Sequence, residues 1–167
     1  KIEKYVERKA GVVTGNDSYF VRLWFEVQVA DISFNSQPNC TYSKYHAMSK
    51  GGSHRRYYGN LEYVIRLKDL WDDSKTNISV RRGDREYYFR TAIGWSQVGN
   101  SQKSFRYTSH TVCGTATPTI YVKNEGWYSY ILAFLNTKIA YEYLSAFNPT
   151  INLLTTDICN IPLLESA

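Results

Sequence analysis

Histidine, cysteine and long apolar runs are scarce in this chain, and each shortage closes off a class of function. Three histidines, His46, His54 and His110, lie far apart, and no HExxH or Cys/His cluster accompanies them, so metal-ligand spacing is missing. A hydrogen-bonded histidine of the core or the surface is the reading for each. Three cysteines, Cys40, Cys113 and Cys159, are equally dispersed with no CxxC pair. That argues against a disulfide framework or a zinc site, and for thiols kept reduced in a cytoplasm. No signal-peptide pattern and no membrane-length apolar run occurs. Nor is there a GxSxG elbow, a P-loop or a GxGxxG turn after a strand. The chain is therefore expected not to be an enzyme by itself.

Two weaker hints of catalysis are explained locally. Asp69, Asp72, Asp73 and Asp84 suggest a Mg²⁺ nuclease, but they fall in a polar stretch without an acid-x-lysine pairing on a strand, as a solvated loop would. Asn148-Pro149-Thr150 invites comparison with the Asn-Pro-Pro-aromatic motif of amino-methyltransferases. It lacks the second proline and the aromatic and follows a helical pattern, so helix termination accounts for it.

What is present is size, tyrosine and unevenly placed charge. The 167 residues suffice for one domain with a real core, and 15 of them are tyrosines. The net charge of +5 is concentrated in residues 44–110, where thirteen Lys/Arg face six Asp/Glu. Residues 1–43 balance five against five, and residues 111–167 carry two basic against four acidic. A basic face built from the middle of the chain is a candidate polyanion site, although a solvated surface with scattered cations has the same composition.

The strongest periodic stretch is 127–148, WYSYILAFLNTKIAYEYLSAFN. Its apolar residues Tyr128, Ile131, Leu132, Leu135, Ile139, Tyr143 and Phe147 recur three or four apart, the spacing of one buried helix face. Asn124 and Glu125 supply an N-cap and a first-turn acid, and Pro149 a stop. About 20 residues make a rod of roughly 30 Å. The expected fold is α+β: a single domain with a twisted, mainly antiparallel β-sheet core braced by one long C-terminal helix, followed by a short strand. Residues 1–10 read as a linker or the end of a preceding helix, residues 11–167 as the domain, and residues 68–85 as a variable excursion. Strands are expected over 19–32, 61–67, 86–90, 92–98, 105–108 and 119–122. Residues 44–60 have no convincing period.

The recognition chemistry lies in that aperiodic stretch. KGGSHRRYYGN groups Lys50, His54, Arg55 and Arg56 with Tyr57, Tyr58 and Asn60, while Gly51 and Gly52 permit close backbone approach. Cations meet phosphates, arginine forks onto guanine O6/N7 and asparagine bridges adenine N6/N7. A basic surface turn has the same residues. Trp95-Ser96 and the loop with Asn100, Gln102, Lys103 and Arg106 repeat the theme, although a lone tryptophan is more often core than platform. Thr14 and Asn16 flank Gly15 in a polar turn.

The segments 11–27, 45–67, 86–99 and 131–162 occur in an order that resembles the target recognition domain of adenine-specific DNA methyltransferases. The nearest likeness is to phage-exclusion (BREX-type) methyltransferases and fused restriction–modification enzymes. The NPT-x-N-x-x-x-x-D-I-x-N-I-P ending is similar to recognition domains of Type I specificity subunits. The likeness covers nearly the whole chain, apart from 68–85.

The resemblance implies a DNA-recognition module of a bacterial N6-adenine methyltransferase or restriction–modification protein. Its partners would be double-stranded DNA and the methyltransferase catalytic domain of the same parent protein, with no membrane. S-adenosylmethionine would belong to that domain, with no cofactor in this segment. Thr14, Asn16, Lys50, Gly51, Gly52, Trp95 and Ser96 match family motifs, and Asn152, Asp157, Ile158 and Pro162 match the closing signature and would fix the strand after the helix. The alternative is a protein-docking domain of the restriction or phage-defence assembly, with little DNA affinity of its own.

Overall fold

The structure is a computed structural model and describes residues 1–99 and 103–163. Its strands are β1 (Val6–Lys9), β2 (Val21–Leu23), β3 (Ile32–Ser33), β4 (Tyr45–Ser49), β5 (Tyr63–Ile65), β6 (Ala92–Trp95), β7 (Phe105–Thr108), β8 (Val112–Cys113) and β9 (Thr119–Val122). Its helices are α1 (Asp17–Phe20), α2 (Leu67–Leu70), α3 (Tyr128–Leu135), α4 (Lys138–Phe147) and α5 (Thr155–Asn160).

The strands form two sheets. One runs β1-β9-β6-β7, and its three pairings are antiparallel. The other runs β2-β5-β4-β3, with β8 also on β4. There β5 is antiparallel to both neighbours, while β3 and β8 run parallel to β4. Each sheet has its own core. Ile93, Trp95, Phe105 and Ile120 meet Ile131, Leu135, Leu144 and Ile158 on the helical side. Phe20, Val21, Met48, Ile65, Leu67, Phe89 and Val112 form the second. The α+β class stands.

The single long helix does not. It is broken at Asn136-Thr137 into α3 and α4. Asn136 is buried: its Oδ1 accepts from the Phe105 amide (3.1 Å), and its Nδ2 donates to the carbonyls of Phe105 (3.0 Å) and Leu132 (2.9 Å). Its amide thus pairs with β7 as a neighbouring strand would. Thr137 then takes an extended conformation and caps α4, its Oγ1 accepting from the Ala140 amide at 3.2 Å. The break rotates the second half, so α4 buries Ala140 and Leu144 and exposes Ile139, Tyr143 and Phe147.

The piece after the helix is also different. Asn152 makes one isolated antiparallel bridge to Val98, and Asp157 and Ile158 lie on helix α5. The Asn148 side chain donates to the Asn152 carbonyl (2.7 Å) and to Asp157 Oδ2 (2.6 Å), which in turn accepts from the Leu154 amide (2.8 Å). Ile158 is fully buried. The closing motif is thereby a helix-to-helix clasp.

Three further expectations change. Residues 19–32 form no continuous strand, because side chains compete for the backbone: Asn16 caps α1 through the Tyr19 amide (3.2 Å), and Glu26 captures the Leu23 amide (2.8 Å). Residues 86–90 contain a 3-10 turn, Arg85–Tyr87, in place of a strand. The first ten residues are integral, with Ile2 fully buried and β1 paired to β9. The aperiodic YHAMS segment is strand β4, and all five of its residues are buried. A strand covered on both faces has no alternation to display.

His46 on β4 is fully buried. The Ser43 amide donates to its Nε2 at 2.9 Å, which leaves the proton on Nδ1, facing Ser36 Oγ at 2.6 Å. Burial pushes its pKa down from 6.5 to about 4. The unfolded chain then binds the proton more readily, so stability is full above pH 6.5 and is lost as pH falls towards 4. The expected loss is on the order of 3 kcal/mol. Urea denaturation from pH 8 to pH 4, set against His46→Gln, measures it; identical pH profiles for the two proteins would contradict it.

Candidate nucleic-acid interface

Strand directions bring the ends of both sheets to one face. In the second sheet the last rung joins Leu23, Tyr63 and Met48, and Met48 pairs across to Val112. Beyond it lie Trp24, whose amide donates to the Glu62 carbonyl (2.9 Å), then Lys50, and Gly114, whose amide donates to the Ser49 carbonyl (3.0 Å). In the first sheet β6 ends at Trp95 and β7 begins at Phe105, with Ser96 and Ser104 just beyond them. The two ends are tied together: Gln97 donates to the Ala116 carbonyl at 3.1 Å, and Ser96 Oγ to the Gly52 carbonyl at 3.1 Å.

Residues 50–62 run from β4 to β5 across this face. The Tyr57 amide donates to the Phe105 carbonyl (2.9 Å), and the Tyr107 amide to the Tyr57 carbonyl (2.8 Å), so the loop lies along the edge of β7. Asn60 Nδ2 closes it by donating to the Ser53 carbonyl at 2.9 Å. Gly52, Tyr57, Gly59 and Asn60 all have positive φ. Four left-handed residues in nine fold the loop tightly, and Gly52 is required at its position: a Cβ there would meet the Asn60 side chain at 3.0 Å.

Burial divides the sequence-predicted site residues into two groups. His54, Arg55, Arg56, Tyr57 and Tyr58 are exposed on the loop. Lys103 is partly exposed across a cleft of about 450 Å³ that Gly52, Ser53, His54, Ser96 and Gly99 also line. Its Nζ lies 3.4 Å from the Thr150 carbonyl.

Trp95, Asn60 and Arg106 are buried instead. Trp95 Nε1 donates to the Leu153 carbonyl at 2.9 Å. Arg106 Nη2 reaches Ser96 Oγ at 3.3 Å, which extends a chain Arg106–Ser96–Gly52 under the loop. Its Nε and Nη1 have no hydrogen-bond partner among the described residues. Burial pulls the guanidinium below its usual pKa, with Glu62 opposing. Asn60 and Arg106 thus brace the loop from below, while Trp95 ties β6 to the 151–153 segment.

A second hollow of about 310 Å³ gathers Thr14, Asn16 and Lys50 with Asp17, Gly114 and Ala116. Lys50 pairs with Asp17 at 2.5 Å and lies 5.3 Å from the Tyr63 ring centre. Burial raises the Asp17 pKa, but hydrogen bonds from Lys50 and Thr14 outweigh it and hold the carboxyl below its usual range. Gly51 adjoins this hollow, 3.1 Å from the Ala116 carbonyl as measured from its ideal Cβ position. Asn100 and Gln102 lie outside the described residues.

Sequence reasoning missed Trp24 and Phe25. Both stand exposed just past β2, where the Trp24 amide meets Glu62 at the return limb of the loop, and strand-like alternation conceals them in the sequence. The three cysteines are free thiols. Among the described residues no group of three His, Cys, Asp or Glu could hold a metal ion, and no helix is long and apolar enough to cross a membrane.

Two adenine-specific methyltransferases are similar to this chain. PglX of Lacticaseibacillus casei (strain Zhang) is 28% identical over 98% of the chain, and BrxX of Escherichia coli O9:H4 (strain HS) is 26% identical over 91%. The chain spans only 14% and 12% of their respective lengths. No family model matches it.

Proposed function

We propose that this chain is a sequence-specific double-stranded DNA recognition module of an adenine-specific methyltransferase in a bacterial phage-defence or restriction–modification protein. Methyl transfer from S-adenosylmethionine would be performed by a separate catalytic domain. The observation that carries the reading is the loop 50–62, anchored to both sheets and presenting His54, Arg55 and Arg56 with Tyr57 and Tyr58. Arginines there would neutralise phosphates or fork onto guanine, while the tyrosine hydroxyls give directional bonds. Likeness to two adenine methyltransferases over almost all of the chain, but a small share of theirs, supports a part that serves the reaction without performing it. Fluorescence-anisotropy titration of labelled duplexes tests the reading. Binding that depends on base sequence and weakens with salt supports it; no duplex binding at 50 mM salt overturns it.

A docking role is favoured by a different surface. Ile139, Tyr143 and Phe147 expose an apolar stripe on α4 beside Lys138 and Glu142, with Tyr143 and Phe147 stacked at 4.7 Å. Such a stripe suits a neighbouring protein surface, for which the catalytic domain of the same parent is the natural occupant. Tight binding to that domain without duplex affinity would favour this reading over recognition.

A further inference from the structure

Trp24 and Phe25 sit on a three-residue 3-10 turn at the loop-bearing end of the second sheet, 42% and 63% exposed. Their rings meet edge to face at 5.8 Å. Two large rings next to each other in water are costly to leave uncovered, and neither belongs to a core cluster of the described residues. Their surroundings point to a particular occupant. The Trp24 amide is bonded to Glu62, two residues beyond Asn60, where the cation-bearing loop returns to β5.

The acids near the turn are largely engaged: Glu26 accepts from the Leu23 amide, Asp31 pairs with Lys44 at 2.7 Å, and Asp17 with Lys50. Glu62 is half-buried on the side of Arg106. Arg55 and Arg56, by contrast, have no ion pair with any described residue. Exposed aromatics at the root of a loop whose two guanidiniums have no ion pair among the described residues fit a ligand that offers flat apolar faces next to phosphates.

Resting on the DNA-recognition reading, we propose that Trp24 and Phe25 form an aromatic wedge that enters a base step of the bound duplex and stacks on the opened bases. The phosphates flanking the opened step would face Arg55 and Arg56. Insertion of this kind costs unstacking energy and is cheapest where pairing is already weak. The bound duplex would accordingly be kinked, and a mismatch at the insertion step would strengthen binding.

The test uses the 167-residue chain, duplexes carrying 2-aminopurine, and the double variant Trp24→Ala/Phe25→Ala. Both side chains are exposed, so the variant keeps its fold, which circular dichroism verifies. In the wild type, 2-aminopurine placed next to one step, where the kink unstacks it and no ring covers it, should brighten on binding, and a mismatch at that step should raise affinity. The variant should lose both responses and bind on the order of tenfold more weakly, with the slope of log affinity against log salt unchanged. Trp24→Phe should restore most of the signal. Duplex binding without any 2-aminopurine change, or a variant that binds and brightens the probe like wild type, overturns the wedge and leaves recognition standing. Absence of wild-type duplex binding overturns both.

Discussion

Replacing Arg55 and Arg56 together by alanine should weaken duplex binding on the order of a hundredfold at 50 mM salt, roughly tenfold per guanidinium. The slope of log affinity against log salt should flatten by about 1.8, since each lost phosphate contact removes about 0.9. The folded chain should be unaffected. Both side chains are exposed and have no ion pair with a described residue, and the loop is held by backbone bonds at Tyr57 and by Asn60. Anisotropy titrations at four salt concentrations measure both quantities. If one arginine forks onto guanine, the flattening should be nearer 0.9, with discrimination lost at one base pair. An unchanged slope together with unchanged affinity would remove the loop from the interface.

Trp95→Ala should do the opposite: destabilise the fold by about 3–5 kcal/mol while leaving the salt slope of the surviving folded protein as it was. Trp95 is fully buried against Phe105 with ring centres 5.6 Å apart, and its Nε1 satisfies the Leu153 carbonyl. Removing it opens a cavity and strands a buried acceptor in the same step. It also loosens the junction of β6 with the 151–153 segment, where Leu153 donates its amide to the Gln97 carbonyl at 2.8 Å. Urea denaturation reads the stability, and anisotropy below the unfolding midpoint reads the slope. A stable Trp95→Ala with selectively lost DNA binding would identify Trp95 as a contact residue after all.

The contrast between these two substitutions shows where the sequence was legible. Strands β7 and β9 follow short apolar-rich segments and lie where alternation and turn residues placed them. β4 was hidden because both of its faces are covered. The long helix failed for a different reason. Helical periodicity continues through Asn136 and Thr137, yet Asn136 is drawn to the outer backbone edge of Phe105, a tertiary contact between residues 31 apart that no local pattern reveals. Arg106 has the same character: residue type and neighbours resemble the cations of the loop, but its strand register opposite Gly94 buries it. Charge pattern finds a cationic loop; only the fold decides which cations reach water.

The most direct test of the central claim is selection from a pool of duplexes with a randomised segment, run in parallel with the wild-type chain and the Arg55→Ala/Arg56→Ala variant. The loop-recognition account predicts that successive rounds enrich one short sequence with the wild type, and that the variant enriches none or a relaxed version of it. A wild-type pool that stays random, or a variant that enriches the same sequence equally well, would contradict it.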